Sequence, residues 1–330
     1  GRAAEMRAAI CREFGGPDVI DVEDVPSEPV GLGQVRVRVG AAAVNFPDVL
    51  LVAGTYQVTV TPPFVPGSEF AGVVEEIGAD VDGVSVGDHV VGTGMVGAFA
   101  EEAVVAAGSV RPIPDGISIR NAAAFGVAHR TAFHVLRSVA RLTPGEELIV
   151  LGAGGGIGLA AVQIGVHLGA NVTAVASTPE KLEAAASCGA HNLIDHRAAD
   201  LRLSLRGILP DGADVVIDPV GGDLAEPALR SLRWGGRFVT VGYASGVIPR
   251  IPLNLVLLKG CTVLGFQFID FATHEPESFA RNEEELWSLL ADGLVVPHIG
   301  ASFDLAAIVD ALRLVADGNA IGKVIVDILP

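Results

Sequence analysis

Cysteine, tyrosine and positive charge are all scarce in this 330-residue sequence. Its three cysteines, Cys11, Cys188 and Cys261, stand far apart with no C-x-x-C pair. That spacing argues against a disulfide framework or a thiolate zinc cluster and predicts a reducing, cytoplasmic setting. Only 22 Lys and Arg oppose 39 acidic residues, a formal charge of −17, so nucleic acid is not expected as a partner. A local basic pocket for a small anion stays compatible with that balance. The first residues, GRAAEMRAAICREF, carry charges every few positions and no apolar h-region, so no secretory signal is expected. Charge is missing altogether from 148 to 179, a run that hydropathy alone would read as a membrane span. Five glycines in LGAGGGIGL (151–159) and the following TPEK turn predict strand, loop, helix and strand instead, and no membrane partner. No low-complexity tract or solenoid repeat is present.

Half of the residues are hydrophobic, and the length suits two domains better than one. The first third reads as β: QVRVRVGAAAV (34–44) alternates valine with arginine before turning apolar, and EFAGVVEEIG, GDHVVGTG and AFAEEAVV follow as short runs between glycine turns. An antiparallel barrel is expected there. From about residue 120 helical spacing begins, and EELIVLGA opens a series of strands and helices. Strands are predicted at 147–151, 171–176, 192–194, 213–217, 236–241 and 261–266, which makes an α/β, doubly wound parallel sheet. After 268 an acidic helix, a second helix and the strand GKVIVDI are expected to return to the barrel. The predicted domains are therefore 1–124 with 268–330, and 125–267.

Gly152, Gly155 and Gly158 stand at intervals of three between a buried strand and an amphipathic helix. Such a turn admits a pyrophosphate to main-chain N–H groups at the positive end of the helix. A strict G-x-G-x-x-G is absent, because Ala153 takes the first position in the frame ending at Gly158. Where the second strand ends, an NAD-binding fold offers an acid to the adenosine ribose; here Ser177 and Thr178 stand, with Lys181 and His196 further on. Hydroxyls and cations in place of a carboxylate favour NADPH over NADH. The alternatives are a solvated helix-face lysine at 181 and a partly buried loop histidine at 196.

The segments AVNFPDVLLVAGTY, FVPGSEFAGVVEEIG, VGDHVVG, GAGGGIGLAAVQIGVHLGA, VIDPVGGDL, LRWGGRFVTVGYASG and IGKVIVDI together resemble the quinone oxidoreductase, zeta-crystallin-like branch of the medium-chain dehydrogenases/reductases. The resemblance implies a GroES-like barrel domain, a Rossmann domain, NADPH in the cleft between them, and a homodimer through edge strands of the Rossmann sheets. Zinc-dependent relatives place a Cys where Asn45 stands and a His where Ser68 stands, and their four-cysteine lobe is missing. His129 and His134 are five apart, as are His191 and His196, which suits no metal, so a metal-free enzyme is expected. Without a Lewis acid, hydride delivery suits an electron-poor quinone or an enone.

Carried across by position, Asn45 and Thr131 resemble the residues at the nicotinamide-ribose end, and Gly155, Gly156, Ile157 and Gly158 the pyrophosphate loop. Ser177, Lys181 and His196 resemble the adenosine-phosphate end. Gly242, Tyr243 and Phe266 resemble the nicotinamide wall, and Val220 is taken as a further cofactor contact. Asn319 and Lys323 are offered by the C-terminal GNAIGKV, although relatives often carry a cation where Asn319 stands. Leu50 replaces a tyrosine of several quinone reductases, which leaves Tyr56 as a candidate donor to substrate oxygen, with capping of a nearby carbonyl as its alternative. Asn45 and Asp48 have helix capping around Pro47 as a competing role. Asp48, with an ordinary carboxylate pKa near 4, is expected to be a poor proton donor at neutral pH.

Three functions follow: a quinone reductase, a reductase of activated carbon–carbon double bonds such as enones or enoyl thioesters, and a non-enzymatic NADPH-binding protein. The apolar stretch GFQFIDFATHEPE (265–277) suits a flat ring, and no basic track for a pantetheine arm stands out, which favours the quinone.

Overall fold

In the computed structural model, which describes residues 4–330, an antiparallel pair comes first: β1 (Glu5–Cys11) and β2 (Ile20–Pro26). In β3 (Gln34–Val44) the alternation of the sequence becomes burial. Val35, Val37 and Val39 lie in the core, while Arg36 and Arg38 point outward and pair with Glu76 and Glu75. Period-two patterning of this kind fixes register, since a one-residue slip would bury the arginines. There follow α1 (Phe46–Ala53), β4 (Glu69–Ile77), β5 (His89–Thr93), β6 (Glu102–Ala106), β7 (Val110–Pro112) and α2 (Ile119–Phe125). Ser118 caps α2 by accepting from the Asn121 N–H at 3.1 Å.

The second part alternates. Helix α3 (Ala128–His134) runs on as a π turn over Val135–Val139. Then come β8 (Glu147–Leu151), α4 (Gly156–His167), β9 (Asn171–Ala176), α5 (Pro179–Ser187), β10 (Asn192–Asp195), α6 (Leu201–Ile208), β11 (Ala213–Asp218), α7 (Ala225–Arg230), β12 (Leu232–Thr240), α8 (Asn254–Lys259) and β13 (Thr262–Gly265). All six strands pair in parallel in the order β10-β9-β8-β11-β12-β13. The chain thus builds outward from β8 in one direction and then, from β11, in the other. The uncharged run 148–179 resolves into β8, α4 and β9, and no described helix is long and apolar enough to cross a membrane. Strand β12 begins earlier than expected, at Leu232, because the glycine pair 235–236 does not end it.

Helices α9 (Phe268–His274) and α10 (Pro276–Ala291) stay with this sheet. The chain divides into one compact unit that reaches Val127 and resumes at Val296, and another of Ala128–Val295. The expected return at 268 therefore falls at 296. The reason is a polar knot between α10 and α3. Glu283 accepts from Arg130 Nε at 2.7 Å, His134 Nε2 at 2.9 Å and Trp287 Nε1 at 3.0 Å. Burial alone would raise the Glu283 pKa; the His134 hydrogen bond and the Arg130 charge hold it below the usual value. The His134 ring, fully buried, stacks on Phe279 with centroids 4.7 Å apart. After Val296, β14 (Ile299–Asp304), α11 (Ile308–Ala316) and β15 (Lys323–Asp327) complete the barrel unit. Its sheet runs β14-β15-β3-β4-β5-β7, with β6 also on β3.

Candidate functional site

In the sheet unit the chain leaves β8 through Gly152 at φ +60°, a left-handed conformation that favours glycine. Gly158 is fixed by packing, since a Cβ there would overlap the Gly152 carbonyl oxygen. Gly155, the N-cap of α4 at φ −82°, differs: a Cβ would meet nothing closer than that oxygen at 3.6 Å. The fold does not need Gly155 bare, so its missing side chain leaves room for something outside the chain. Gly156, Ile157 and Gly158 form the first turn of α4, whose N–H groups lack helical acceptors and sit at the positive end of the dipole.

This loop lies where the strand order reverses, the usual crevice of such sheets. Gly152 packs against Val220 from the loop after β11. Asp218, which the sequence reading passed over, holds that second loop: its Oδ1 accepts from the N–H groups of Val220 at 2.8 Å and Gly221 at 2.9 Å. Its Oδ2 is buried with no hydrogen bond. Burial raises the Asp218 pKa against the pull of the two backbone bonds. Gly242 donates toward the Asp218 carbonyl at 3.4 Å, and the half-exposed Tyr243 accepts from Thr240 Oγ1 at 3.1 Å. Phe266, just beyond β13, packs edgewise and tilted against Phe268 and Phe271. Thr131 is buried on α3.

At the end of β9 the Thr178 hydroxyl caps α5 through the Lys181 N–H at 3.2 Å. The Lys181 stem covers Gly154, and its ammonium reaches Ser177 Oγ at 3.4 Å. His196 donates its backbone N–H to Ala176 at 3.1 Å, and Arg197 follows it. Burial lowers the Lys181 pKa and the charge of Arg197 lowers it further. Burial, Arg197 and Lys181 likewise depress His196, against the opposing charge of Asp195. Arg197 was not among the expected residues, although it adjoins one of them.

In the barrel unit Asn45 and Lys323 form a closed network with Glu69. Strand β3 runs between β4 and β15 and delivers Asn45 between Glu69 and Lys323. Asn45 Nδ2 donates to Glu69 Oε2 at 2.6 Å and toward Ser68 Oγ at 3.4 Å, and its Oδ1 accepts from Lys323 Nζ at 2.7 Å. Lys323 also lies 3.0 Å from Glu69 Oε2. Its charge is spent on a carboxylate that the sequence reading missed. Asn319 is exposed in the turn after α11.

Asp48 departs from the ordinary carboxylate expected of it. It is fully buried; its Oδ2 accepts from the Asn45 N–H at 2.7 Å, while Oδ1 has no hydrogen bond of ordinary geometry. Burial pushes its pKa up to about 7, with the Glu69 charge adding to the rise and the Asn45 bond, Lys323 and Ser68 opposing it. Tyr56, packed against the barrel core, has no hydrogen bond from its hydroxyl to another described residue, so the carbonyl-capping alternative is not what the chain adopts. Burial, then the Asp48 charge, raises its pKa. Among the described residues, no three His, Cys, Asp or Glu side chains group so as to hold a metal ion.

Comparison with known proteins finds the alcohol dehydrogenase GroES-like domain over residues 31–115 and a family described as zinc-binding dehydrogenase over residues 156–286. The chain is 36% identical to quinone oxidoreductase-like protein 2 of Bos taurus, over 99% of this chain and 94% of that one. It resembles the Escherichia coli quinone oxidoreductase complexed with NADPH at TM-score 0.90 and 27% identity, covering 98% and 100% of the two chains. A mycobacterial protein complexed with NADPH matches at TM-score 0.90 and 29% identity, with the same coverage.

The two loop glycines should separate folding from binding. Gly158→Ala is expected to lower the melting temperature and abolish dinucleotide binding together. Gly155→Ala should leave the melt within a few degrees yet weaken binding about tenfold or more in calorimetric titration; unchanged affinity would show that the bare amide faces no ligand.

Asp48 makes a second prediction. Its folded pKa of about 7 lies above the ordinary 3.8, so the folded chain holds a proton that the unfolded chain has released. The resulting stability is fully present below about pH 4 and is lost as pH rises to about 7, a few kcal/mol in all. Asp48→Asn keeps an acceptor for Asn45 and removes the titration. Urea unfolding should show wild type losing stability relative to this variant across that window, and parallel curves would refute it.

Proposed function

The chain belongs to the zinc-free quinone oxidoreductase branch of the medium-chain dehydrogenase/reductase superfamily, and from that premise we propose that it is an NADPH-dependent reductase that passes a hydride to a quinone. The observation that carries the cofactor choice is the group Lys181, His196 and Arg197 beside Ser177. The Arg197 charge depresses both Lys181 and His196, and Lys181 depresses His196 further, so an anion of two charges set among them relieves the repulsion, and the position directly after β9 is a serine instead of an acid. The first-turn amides of α4 and the bare Gly155 suit the pyrophosphate. Gly152, Val220, Gly242, Tyr243, Phe266 and Thr131 are assigned to the nicotinamide half of the dinucleotide.

When bound, NADPH supplies the hydride. The protein's part is to bind, orient and exclude water, and to offer a donor to the oxygen that gains charge. We assign that donor to Tyr56, whose hydroxyl has no hydrogen bond to another described residue; the Asn45 amide hydrogens are already directed at Glu69 and Ser68. The donors available at positions 45 and 68 are amide and hydroxyl, which are poor zinc ligands, so no metal role is assigned. Three free cysteines are consistent with a reducing cytoplasm.

A homodimer is part of the proposal. Strand β13 ends its sheet, leaving one edge unpaired, and Trp234, Leu253, Leu257, Leu258 and Val263 are exposed. Trp234 is 79% exposed and its ring lies against Gly260, a flat apolar surface that a second copy would cover. Trp234→Asp with Leu257→Asp should halve the mass seen in sedimentation, and an unchanged mass would remove this interface.

Turnover should be measured with para- and ortho-quinones, small enones and enoyl thioesters, using NADPH and NADH in turn. Quinones with NADPH are expected to give the highest kcat/KM. A higher value for an enone or thioester would replace the quinone with an activated double bond, and binding without turnover of any of them would leave a non-enzymatic NADPH protein. Lys181→Ala and Arg197→Ala should each raise the NADPH Kd about fivefold, the worth of about 1 kcal/mol per exposed contact. The NADH Kd should stay within about twofold, and equal effects on both cofactors would overturn the assignment.

A further inference from the structure

Lys323 is one of three lysines in the chain and is 3% exposed. Its ammonium has two partners, Glu69 Oε2 at 3.0 Å and Asn45 Oδ1 at 2.7 Å. Glu69, wholly buried, divides its oxygens: Oε1 accepts from the Val127 N–H at 3.1 Å, and Oε2 from Asn45 Nδ2 and Lys323. Ion pairing alone would satisfy lysine and glutamate. The amide between them adds a direction. Turned over, Asn45 would set its oxygen against a carboxylate oxygen and its NH2 against an ammonium, both repulsive, so only one orientation is allowed.

We propose that Lys323 is a positioning residue that acts through Asn45, fixing the amide with both hydrogens inward so that Asn45 offers only the second lone pair of Oδ1 to a bound hydroxyl. Asn45 is 9% exposed, enough for one such contact. Without the ammonium, the amide loses the partner that tells its two ends apart, and its orientation becomes a mixture. Sequence position alone would place Lys323 on the cofactor; its two contacts place it one residue behind. The inference rests on the reading of Asn45 as part of the reductase site.

The test is a double-mutant cycle on the full chain, with NADPH and 1,4-benzoquinone as substrates. Asn45→Ala and Lys323→Met should each lower kcat about 10- to 100-fold, the range for misplacing a positioned group, while the KM for NADPH stays within about threefold. The double variant should be no slower than the slower single one, because the lysine acts only through the amide. Factors that multiply would show an independent structural effect and overturn the proposal. If Asn45→Ala lowers kcat and Lys323→Met does not, the positioning role falls and the site reading stands. If Asn45→Ala leaves kcat unchanged, both fall. Should Lys323→Met lack a cooperative melt because Glu69 is left unpaired, the pair Lys323→Met with Glu69→Gln replaces it in the cycle. The amide donor introduced at 69 then favours the turned-over Asn45, and the same loss and the same non-additivity are expected.

Discussion

Backbone must touch backbone where β8 meets α4. The Gly152 carbonyl occupies the space in which any side chain at 158 would begin, and that contact sets the distance and angle of α4 against the sheet. Its consequences spread along the unit. The first-turn amides of α4 arrive at the point where the strand order reverses. Gly152 comes up against Val220, so the loop after β11, held by Asp218, has a fixed height. The stem of Lys181 lies across Gly154, which brings its charge to the end of β9. A side chain at 158 would therefore disturb the amides, the second loop and the basic cluster together.

Much of this was legible because burial writes itself into strands. The runs from 147, 171, 192 and 213 became β8, β9, β10 and β11 with nearly the expected limits, and the valine alternation of β3 gave its inner face. Residues whose role depends on a distant partner were harder. Helix α10 reads as a solvated acidic face until His134 and Arg130, about 150 positions earlier, are seen to enclose Glu283. Glu69 and Lys323 left a signal that periodicity does not weigh: each is a lone charge inside an apolar run, GSEFAGVV and IGKVIV. A charge in such a place must have a partner, since an isolated one would cost many kcal/mol to bury. Pairing the two isolated charges would have found the network.

Lys181 and Lys323 show how surroundings divide one residue type into two kinds of charge. Lys181 is half-buried and stands among like charges, so its ammonium gains by meeting an anion. Lys323 has its carboxylate already, wholly out of water. Swapping those environments would invert their chemistry. An exposed pair is worth at most about 1 kcal/mol and adjusts selectivity, whereas a broken buried pair costs several and reorganises what surrounds it. The proposed recognition of a dinucleotide phosphate and the proposed orientation of Asn45 thus draw on different kinds of electrostatics.

Charge balance inside the barrel links these groups to proton supply. Glu69 and Lys323 cancel, which leaves Asp48 as the group that decides the net charge of the interior. Burial, with the Glu69 charge, brings its pKa up to about 7, so near neutral pH the group passes between its neutral and charged forms. The interior is neutral only while that proton stays. Tyr56 feels the difference, because the negative charge of Asp48 raises its pKa and a tyrosine of higher pKa is a weaker donor. On the proposal that Tyr56 is the donor, protonated Asp48 leaves its hydroxyl the stronger donor to an oxygen gaining charge. The carboxyl expected to be an ordinary acid thus adds its charge to burial in setting the Tyr56 pKa.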